Sequence, residues 1–405
     1  MVDPTIRSLR GRSFAETRSG VVDLIRSSGE ITRVELSRRA GLTEGTISKI
    51  VKDLLADGVV VEAGQAESTG GKRATFLRLG DSGLWALGVT LDRGRIVVML
   101  CALDGSRVGS LELAGMEHGD ATDVLDRVAG GVRALTAEHG IPLQSVMGLG
   151  VALSGRRRDQ VDGTLPPQET WWEWLAVDEI LTGLTGLPVL LGNDADCAAL
   201  GEFWSRRVPA GKDFALVYMA DGIGLGVMIG GDVYRGSTGH AGEIGHVFVD
   251  PDRAPCWCGS RGCLENVGTP TAVARRARSS TEQADELGIH PDDADRVVYG
   301  KVGAGSAAGN AFARRLLGDA AGYLTTAVVG LVNTLDLGHI VLAGPGFAVA
   351  PELFLSTLRA GLNTTYIRTI HPVGVELSGL DQEIAALGAA SLVLHRGLTP
   401  HHVVE

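Results

Sequence analysis

Over the first eighty positions, apolar residues recur at helical spacing in three short blocks. In residues 18–28, Val21, Val22, Leu24 and Ile25 form a first stripe. A second helix is predicted to begin at Thr32, where Thr32 and Glu35 have the spacing of a capping box, and to run through Leu36 to Ala40 before Gly41 breaks it. A third is predicted from Thr43 to Gly58, because Ile47, Ile50, Val51, Leu54 and Leu55 fall at i, i+3, i+4, i+7 and i+8. Its opposite face carries Thr43, Gly45, Thr46, Ser48, Lys49 and Lys52, which are short, polar or basic and suit close approach to base edges and phosphates. Strand-like runs at 59–62 and 75–79 follow, with Lys72 and Arg73 between them. Helix, helix, polar helix and basic hairpin make an α+β winged helix-turn-helix over residues 1–80. A protein-binding three-helix module is the competing reading.

From Trp85 the pattern becomes α/β. Runs at 85–91 and 96–102 read as a hairpin turning at 92–94, and runs at 146–153, 189–191, 214–219 and 226–229 as further strands. Apolar helices lie between them. One long helical stretch, 304–335, is expected ahead of a buried strand at 339–343, and residues 383–395 form an Ala-rich apolar helix. No short-period repeat is present, although the pattern is compatible with two βββαβα halves.

Composition narrows the class. With 57 glycines and 5% aromatics in 405 residues, the chain suits an α/β protein of many tight turns and two or more domains. No apolar run of about 18 residues is seen, and the N-terminus has no apolar core after its charges, so a cytoplasmic protein is expected. Residues 1–80 carry 13 Lys or Arg against 10 Asp or Glu, a net of +3, while the rest carries −14 of the overall −11. A small basic module thus sits on an acidic body, as expected where only the first part touches DNA.

Cys101 and Cys197 stand alone in apolar surroundings and read as small buried hydrophobes. The others fall in the pattern His246-x9-Cys256-x-Cys258-x4-Cys263. Three thiolates and one imidazole fill the tetrahedral shell of Zn²⁺, so the ion would be structural, and zinc-water hydrolysis is rejected. Around this motif lie Asn193, Asp194, Glu243 and Glu265, acceptors of the kind that bind several hydroxyls of a sugar.

At these residues the chain resembles the ROK family of repressors, open reading frames and kinases: LGNDADCAALGE at 191–202, AGEIGH at 241–246 and CWCGSRGCLE at 256–265 match its signatures. The resemblance covers about 81–405, and the winged helix resembles that of the repressor branch. It implies a two-lobed actin-like, hexokinase-like (ribonuclease H-like) α/β fold. Lobe 1 is then about 81–192 plus the C-terminal helix at about 383–405, and lobe 2 about 193–382. It also implies that Asn193, Asp194, Glu243, His246 and Glu265 contact the sugar, with His246 serving the zinc as well, and that Asp194 matches the catalytic base of kinase members. The loop at 156–174 is expected to help select the sugar.

Three nucleotide loops depart from the kinase pattern. In the ungapped register the usual DxGxT becomes Thr90, Asp92 and Gly94 at the Asp, first Gly and Thr positions, while a two-residue shift would restore Asp92-x-Gly94 but leave Ile96 in place of Thr. GTGIG becomes Ala220-Asp221-Gly222-Ile223-Gly224, and the adenine-side glycines become Ala343-Gly344-Pro345-Gly346. Asp221 puts a carboxylate where a phosphate would sit, and Pro345 removes an N–H. Near the wing, Gly71-Lys72-Arg73 replaces the Gly-Arg-Pro often found in the repressor branch. The expectation is a non-catalytic, sugar-responsive regulator, acting as a homodimer or dimer of dimers on paired half-sites of double-stranded operator DNA. An ATP-dependent sugar kinase with an attached DNA module is the alternative. A zinc-stabilised dimer with a vestigial sugar site is a third reading.

Overall fold

The computed structural model describes residues 9, 12–65, 73–80, 83–116, 120–154, 175–208, 211–252, 254–364, 366–380 and 383–398. The expected sugar-selecting loop at 156–174 and the wing residue Lys72 lie outside them.

The N-terminal module contains α1 (Phe14–Ser28), β1 (Ile31–Thr32), α2 (Arg33–Ala40), α3 (Glu44–Ala56), β2 (Val60–Gln65) and β3 (Thr75–Leu79). Helix α1 begins four residues before the apolar pattern does. The reason is a complete capping box at Ser13 and Glu16, where the Ser13 hydroxyl accepts from the Glu16 N–H and the Glu16 carboxylate accepts from the Ser13 N–H at 2.8 Å. At α2, Thr32 accepts from the Glu35 N–H, while the Glu35 carboxylate pairs with Arg38 and Arg39. The short strand β1, which the apolar pattern does not announce, completes a sheet of order β1-β3-β2. Val22, Ile25, Leu36, Ile47, Ile50, Leu54 and Leu77 are fully enclosed between helices and sheet. Each such aliphatic side chain contributes about 1.5–3 kcal/mol by leaving water.

The first lobe is built from β4 (Trp85–Leu91), β5 (Arg95–Ala102), β6 (Arg107–Ala114), α4 (Ala121–Glu138), β7 (Val146–Leu153), α5 (Val177–Thr185) and β8 (Val189–Asn193), with strand order β6-β5-β4-β7-β8. The second starts with α6 (Asp194–Ser205), β9 (Phe214–Met219), β10 (Ile223–Ile229) and β11 (Asp232–Val233). It continues through α7 (Glu265–Gly268), α8 (Pro270–Arg278), α9 (Thr281–Glu286), α10 (Asp295–Ala307) and α11 (Ala311–Leu335), and ends with β12 (His339–Ala343), α12 (Pro351–Leu362), α13 (Tyr366–Ile370) and β13 (Gly374–Leu377). Its order, β11-β10-β9-β12-β13, repeats that of the first: an antiparallel meander of three strands, then two parallel additions.

The stretch expected as one helix over 304–335 is two. Helix α10 ends at Ala307, Gly309 takes φ 94°, and Asn310 caps α11 by accepting from the Ala313 N–H at 2.9 Å. Helix α11 has the length and apolar composition to cross a membrane. Its stripe of Leu316, Leu317, Leu324, Val328 and Val332 is nevertheless packed inside the second lobe.

Between the two sheets lie α6 and α14 (Ile384–Leu398). Glycine permits this close approach. A Cβ at Gly150 of β7 would fall 1.8 Å from the Ala389 carbonyl oxygen of α14, and one at Gly388 of α14 would fall 1.6 Å from that of Cys197 in α6. Cys197 is buried in this layer and Cys101 in the first sheet, and burial pushes the Cys101 thiol up to about 12.

Candidate functional site

The expected site residues fall into two groups, one on α3 of the winged helix and one around the start of α6, the 244–246 turn and the start of α7. On α3 the buried stripe consists of Ile47, Ile50, Val51 and Leu54, with Leu55 half-buried. Thr43, Thr46, Ser48, Lys49 and Lys52 lie on the opposite side. All five are exposed, as is Arg73 just before β3. Thr43 is also the N-cap, accepting from the Thr46 N–H at 3.2 Å. Lys49 Nζ stands 5.5 Å from the Phe14 ring, and an Arg18–Asp57 pair at 2.9 Å ties α1 to the end of α3.

In the second lobe a short 3-10 turn, Ile244–His246, and the irregular segment before α7 bring His246, Cys256, Cys258 and Cys263 together, with all four donor atoms within 4.8 Å of one another. His246 Nδ1 lies 3.7 Å from Cys256 Sγ, and Cys258 and Cys263 Sγ are 3.8 Å apart. A tetrahedral zinc with bonds of about 2.3 Å to sulfur and about 2.0 Å to nitrogen separates sulfurs by about 3.8 Å and sulfur from nitrogen by about 3.5 Å. The donor set therefore fits that ion in chemistry and spacing. Burial and the adjacent thiols push Cys263 up to about 12, so a cation is what would hold the cluster as thiolates. Because Nδ1 faces the sulfurs, Nε2 of His246 points away from them. The ring is steadied edge-on by Trp257, with centroids 4.9 Å apart.

The expected sugar acceptors gather beside this cluster. Asn193 closes β8 and caps α6, its Oδ1 accepting from the Ala195 N–H at 3.0 Å and the Asp196 N–H at 3.3 Å. Asp194 is the first residue of α6 and accepts from the Ala195 N–H at 2.8 Å. Burial raises the Asp194 carboxyl to about 7 against that hydrogen bond, helped by the charges of Asp92, Asp196 and Glu243. Glu265 opens α7 and is wedged between two glycines. A Cβ at Gly222 would lie 3.2 Å from its Oε1, and one at Gly245 would lie 2.8 Å from its Oε2. Burial lifts Glu265 to about 7, the Ile223 N–H opposes the rise, and Glu243 and Asp221 add to it. Glu243 is exposed just before His246. These mutual effects place Asp194, Glu243 and Glu265 in one acidic, partly desolvated cluster.

The turns expected to carry nucleotide phosphates occupy equivalent places in the two lobes. Asp92 lies in the β4–β5 turn and Asp221 in the β9–β10 turn. Burial first, and then the charge of Asp221, raise Asp92 to about 6. Thr90, expected at the kinase Asp position, is buried in β4, and its hydroxyl accepts from the Val97 N–H at 3.3 Å. On the adenine side, Pro345–Phe347 forms a 3-10 turn, and the Tyr299 hydroxyl donates to the Gly346 carbonyl at 2.8 Å.

Reasoning from sequence alone missed two buried groups. Tyr218, on β9, is held well above its usual range by burial and by the charges of Asp92 and Asp194. Arg26, 2% exposed, leaves the winged helix to enter the second lobe. Its signal was present, since it follows Val22 by four positions and so falls on the buried stripe of α1.

Comparison with known proteins agrees with this geometry. A model described as the ROK family matches residues 90–396, and one described as winged helix-turn-helix DNA-binding matches residues 15–61. The xylose repressor of Caldicellulosiruptor bescii is 26% identical over 370 residues, covering 90% of this chain and 92% of the relative. The crystal structure of a ROK family transcriptional regulator, a homolog of the E. coli MLC protein, gives a TM-score of 0.71 at 22% identity. It covers 96% of this chain and 98% of that one. A ROK family glucokinase from Streptomyces griseus, in complex with glucose and AMPPNP, gives 0.61 at 25% identity. It covers 98% of that chain but 76% of this one.

Proposed function

The chain belongs to the ROK family, and from that premise we propose that it is a sugar-responsive transcriptional repressor without catalytic activity. The observation that carries this reading is the fusion of a polar and basic helix face, from Thr43 to Lys52, to a cleft of carboxylates suited to a polyol. Thr43, Thr46, Ser48, Lys49 and Lys52 read the major groove of an operator, and Lys72 and Arg73 contact DNA from the wing. Asp194, Glu243 and Glu265 accept hydroxyls of a monosaccharide or a derivative, Asn193 contributes its amide, and Nε2 of His246 adds a fifth polar contact.

His246, Cys256, Cys258 and Cys263 hold a structural zinc. When bound, the ion neutralises the thiolates and fastens the segment that carries both His246 and Glu265. The moving units are residues 1–80, a lobe of 81–192 closed by the C-terminal helix, and a lobe of 193–382. Sugar binding shifts the balance of lobe arrangements, which changes the spacing of two winged helices in a homodimer or dimer of dimers and so its match to paired half-sites. The protein acts in the cytoplasm, where its operator lies.

Asp92 and Asp221 support the non-catalytic part. The two carboxylates sit in the turns expected to carry nucleotide phosphates, and like charges at ~4 Å repel by roughly 1 kcal/mol in water and more in a partly buried site. One observation favours the kinase alternative: Asp194, raised to about 7, is tuned as a general base near neutral pH. The deciding test is operator binding by fluorescence anisotropy across a panel of monosaccharides, beside an assay for ADP release from ATP and magnesium with the same sugars. Sugar-dependent DNA affinity without ADP release is expected. ADP release at turnover rates would install the kinase instead.

A further inference from the structure

Helix α6 joins two places that the regulatory reading treats separately. Its first turn lies in the cleft, with Asn193 as cap and Asp194 as first residue. Its last turn, with Phe203 and Trp204 almost wholly buried, is gripped by the winged helix. Arg26 of α1 donates from its guanidinium to the Phe203 carbonyl at 2.6 Å and also to that of Val208. The same guanidinium lies 3.8 Å over the Phe203 ring and 5.3 Å from that of Trp204, and Asp23 holds it from behind at 2.7 Å. A planar fork of donors suits this double grip on backbone oxygens, and its positive charge complements the carbonyl end of α6.

The first lobe reaches the same point. Its β5–β6 turn sets Gly105 against Trp204, with a Cβ position 3.2 Å from the Trp204 Cβ, and Asp104 pairs with Arg207 at 3.6 Å. Gly29, which ends α1, lies under the Arg207 guanidinium, where a Cβ would come within 2.3 Å. Three bodies therefore meet at one joint: the end of α1, the end of α6 and the turn of the first lobe.

The joint is not relaxed. Arg207 takes the left-handed conformation, φ 53°, to close α6 through hydrogen bonds from its own N–H to Trp204 O and from the Val208 N–H to Phe203 O. This place at a helix end normally goes to glycine. Trp204 Nε1 and Ser205 Oγ are buried with no hydrogen-bond partner among the described residues. A small, half-open cavity lined by Ile25, Arg26, Leu79, Asp104 and Arg207 borders the joint.

Resting on the regulatory reading above, we infer that Arg26 is a positioning residue that transmits the state of the cleft to the winged helix. In this scheme a ligand engaging Asp194 moves α6 against the Asp104–Gly105 turn, and the grip of Arg26 on the far end of α6 carries the movement to α1. A short helix is a stiff strut, so a displacement at its first turn reappears at its last. Asp104 and Arg207 set the resting position, and the strained Arg207 turn is the part that yields.

The test uses the full-length protein and an operator duplex selected by it from random sequence. D-xylose, D-glucose and N-acetyl-D-glucosamine serve as probes, with sugar affinity measured by calorimetry and operator affinity by anisotropy. The variants are Arg26→Lys, which keeps the charge but removes the fork, and Arg207→Gly, which keeps the left-handed turn but removes the Asp104 pair. If Arg26→Lys fails to fold, Arg207→Gly decides. In the unaltered protein at least one sugar shifts operator affinity by about tenfold. In both variants sugar affinity stays within about twofold and the sugar-induced shift falls below about threefold; sugar-free operator affinity stays within about twofold in Arg26→Lys and moves in Arg207→Gly, which loses the pair that sets the resting position. Variants that bind sugar and respond to it as strongly as the unaltered protein overturn the inference and leave the regulatory reading standing. An unaltered protein whose operator affinity none of the three sugars changes sinks the reading, and the inference with it.

Discussion

Asp92 and Asp221 occupy the same hairpin turn in each of the two lobes, and the charge of Asp221 adds to burial in keeping the Asp92 carboxyl protonated up to about 6. Asp194 holds its proton up to about 7 for the same main reason, burial. Unfolding returns both groups to ordinary carboxylate values near ~4. The folded chain therefore binds more protons than the unfolded one between these limits. The stability these groups contribute is fully present below about pH 4 and is lost as pH rises through about 6 to 7. The urea midpoint of the sugar-free protein should carry a component that falls across this window, and Asp92→Asn and Asp194→Asn should each flatten it. Variants with the same slope as the parent would count against the buried, protonated pair.

Asp92 and Asp221 also bear on nucleotide binding. We expect no saturable ATP binding in calorimetry, with or without magnesium. Asp221→Thr alone should not create it, because Thr90 stays buried and hydrogen-bonded in the other turn. Micromolar ATP affinity in the unaltered protein would contradict this.

Cys258→Ser removes one of four donors that lie within 4.8 Å of one another. Zinc content, measured by mass spectrometry of the purified protein, should fall from about one equivalent to near none. Stability should drop on the order of 3–5 kcal/mol in urea titration, as for the removal of other structural metals. Sugar affinity should fall with it, because Glu265 follows Cys263 by two residues. A metal-free variant with unchanged melting and sugar binding would end the idea that an ion fastens this segment.

Lys49→Ala and Lys52→Ala should weaken operator binding at fixed salt. Each should also reduce the slope of log affinity against log salt by about 0.9 for every phosphate the lysine no longer neutralises. Thr46→Ala and Ser48→Ala should instead alter sequence preference with little change in slope. The comparison needs binding isotherms at several salt concentrations. Equal slopes in the lysine variants and the parent would move the DNA face away from α3.

What could be read along the chain was whatever short spacing encodes. The stripe of Ile47, Ile50, Val51 and Leu54 located α3, and alternating or continuous apolar runs located β7, β9 and β12 at their observed limits. The His246 and cysteine spacing forecast the four-donor cluster, because those ligands lie within one short segment. Local chemistry also misled in places. The cap at Ser13 and the break at Gly309–Asn310 depend on one or two polar residues that an apolar stripe does not register.

The tertiary structure alone decided the rest. The two lobes share the same strand order, which the apolar pattern showed only weakly as two βββαβα halves, since each sheet needs only an apolar pattern and many sequences supply one. Asp92 meets Asp221, and Arg26 meets Phe203, across more than a hundred residues of intervening chain. Such encounters are set by how whole layers pack, with α6 and α14 between the sheets and glycines letting them close. Periodicity reports which face of an element is buried, and it carries no information about which distant element does the burying.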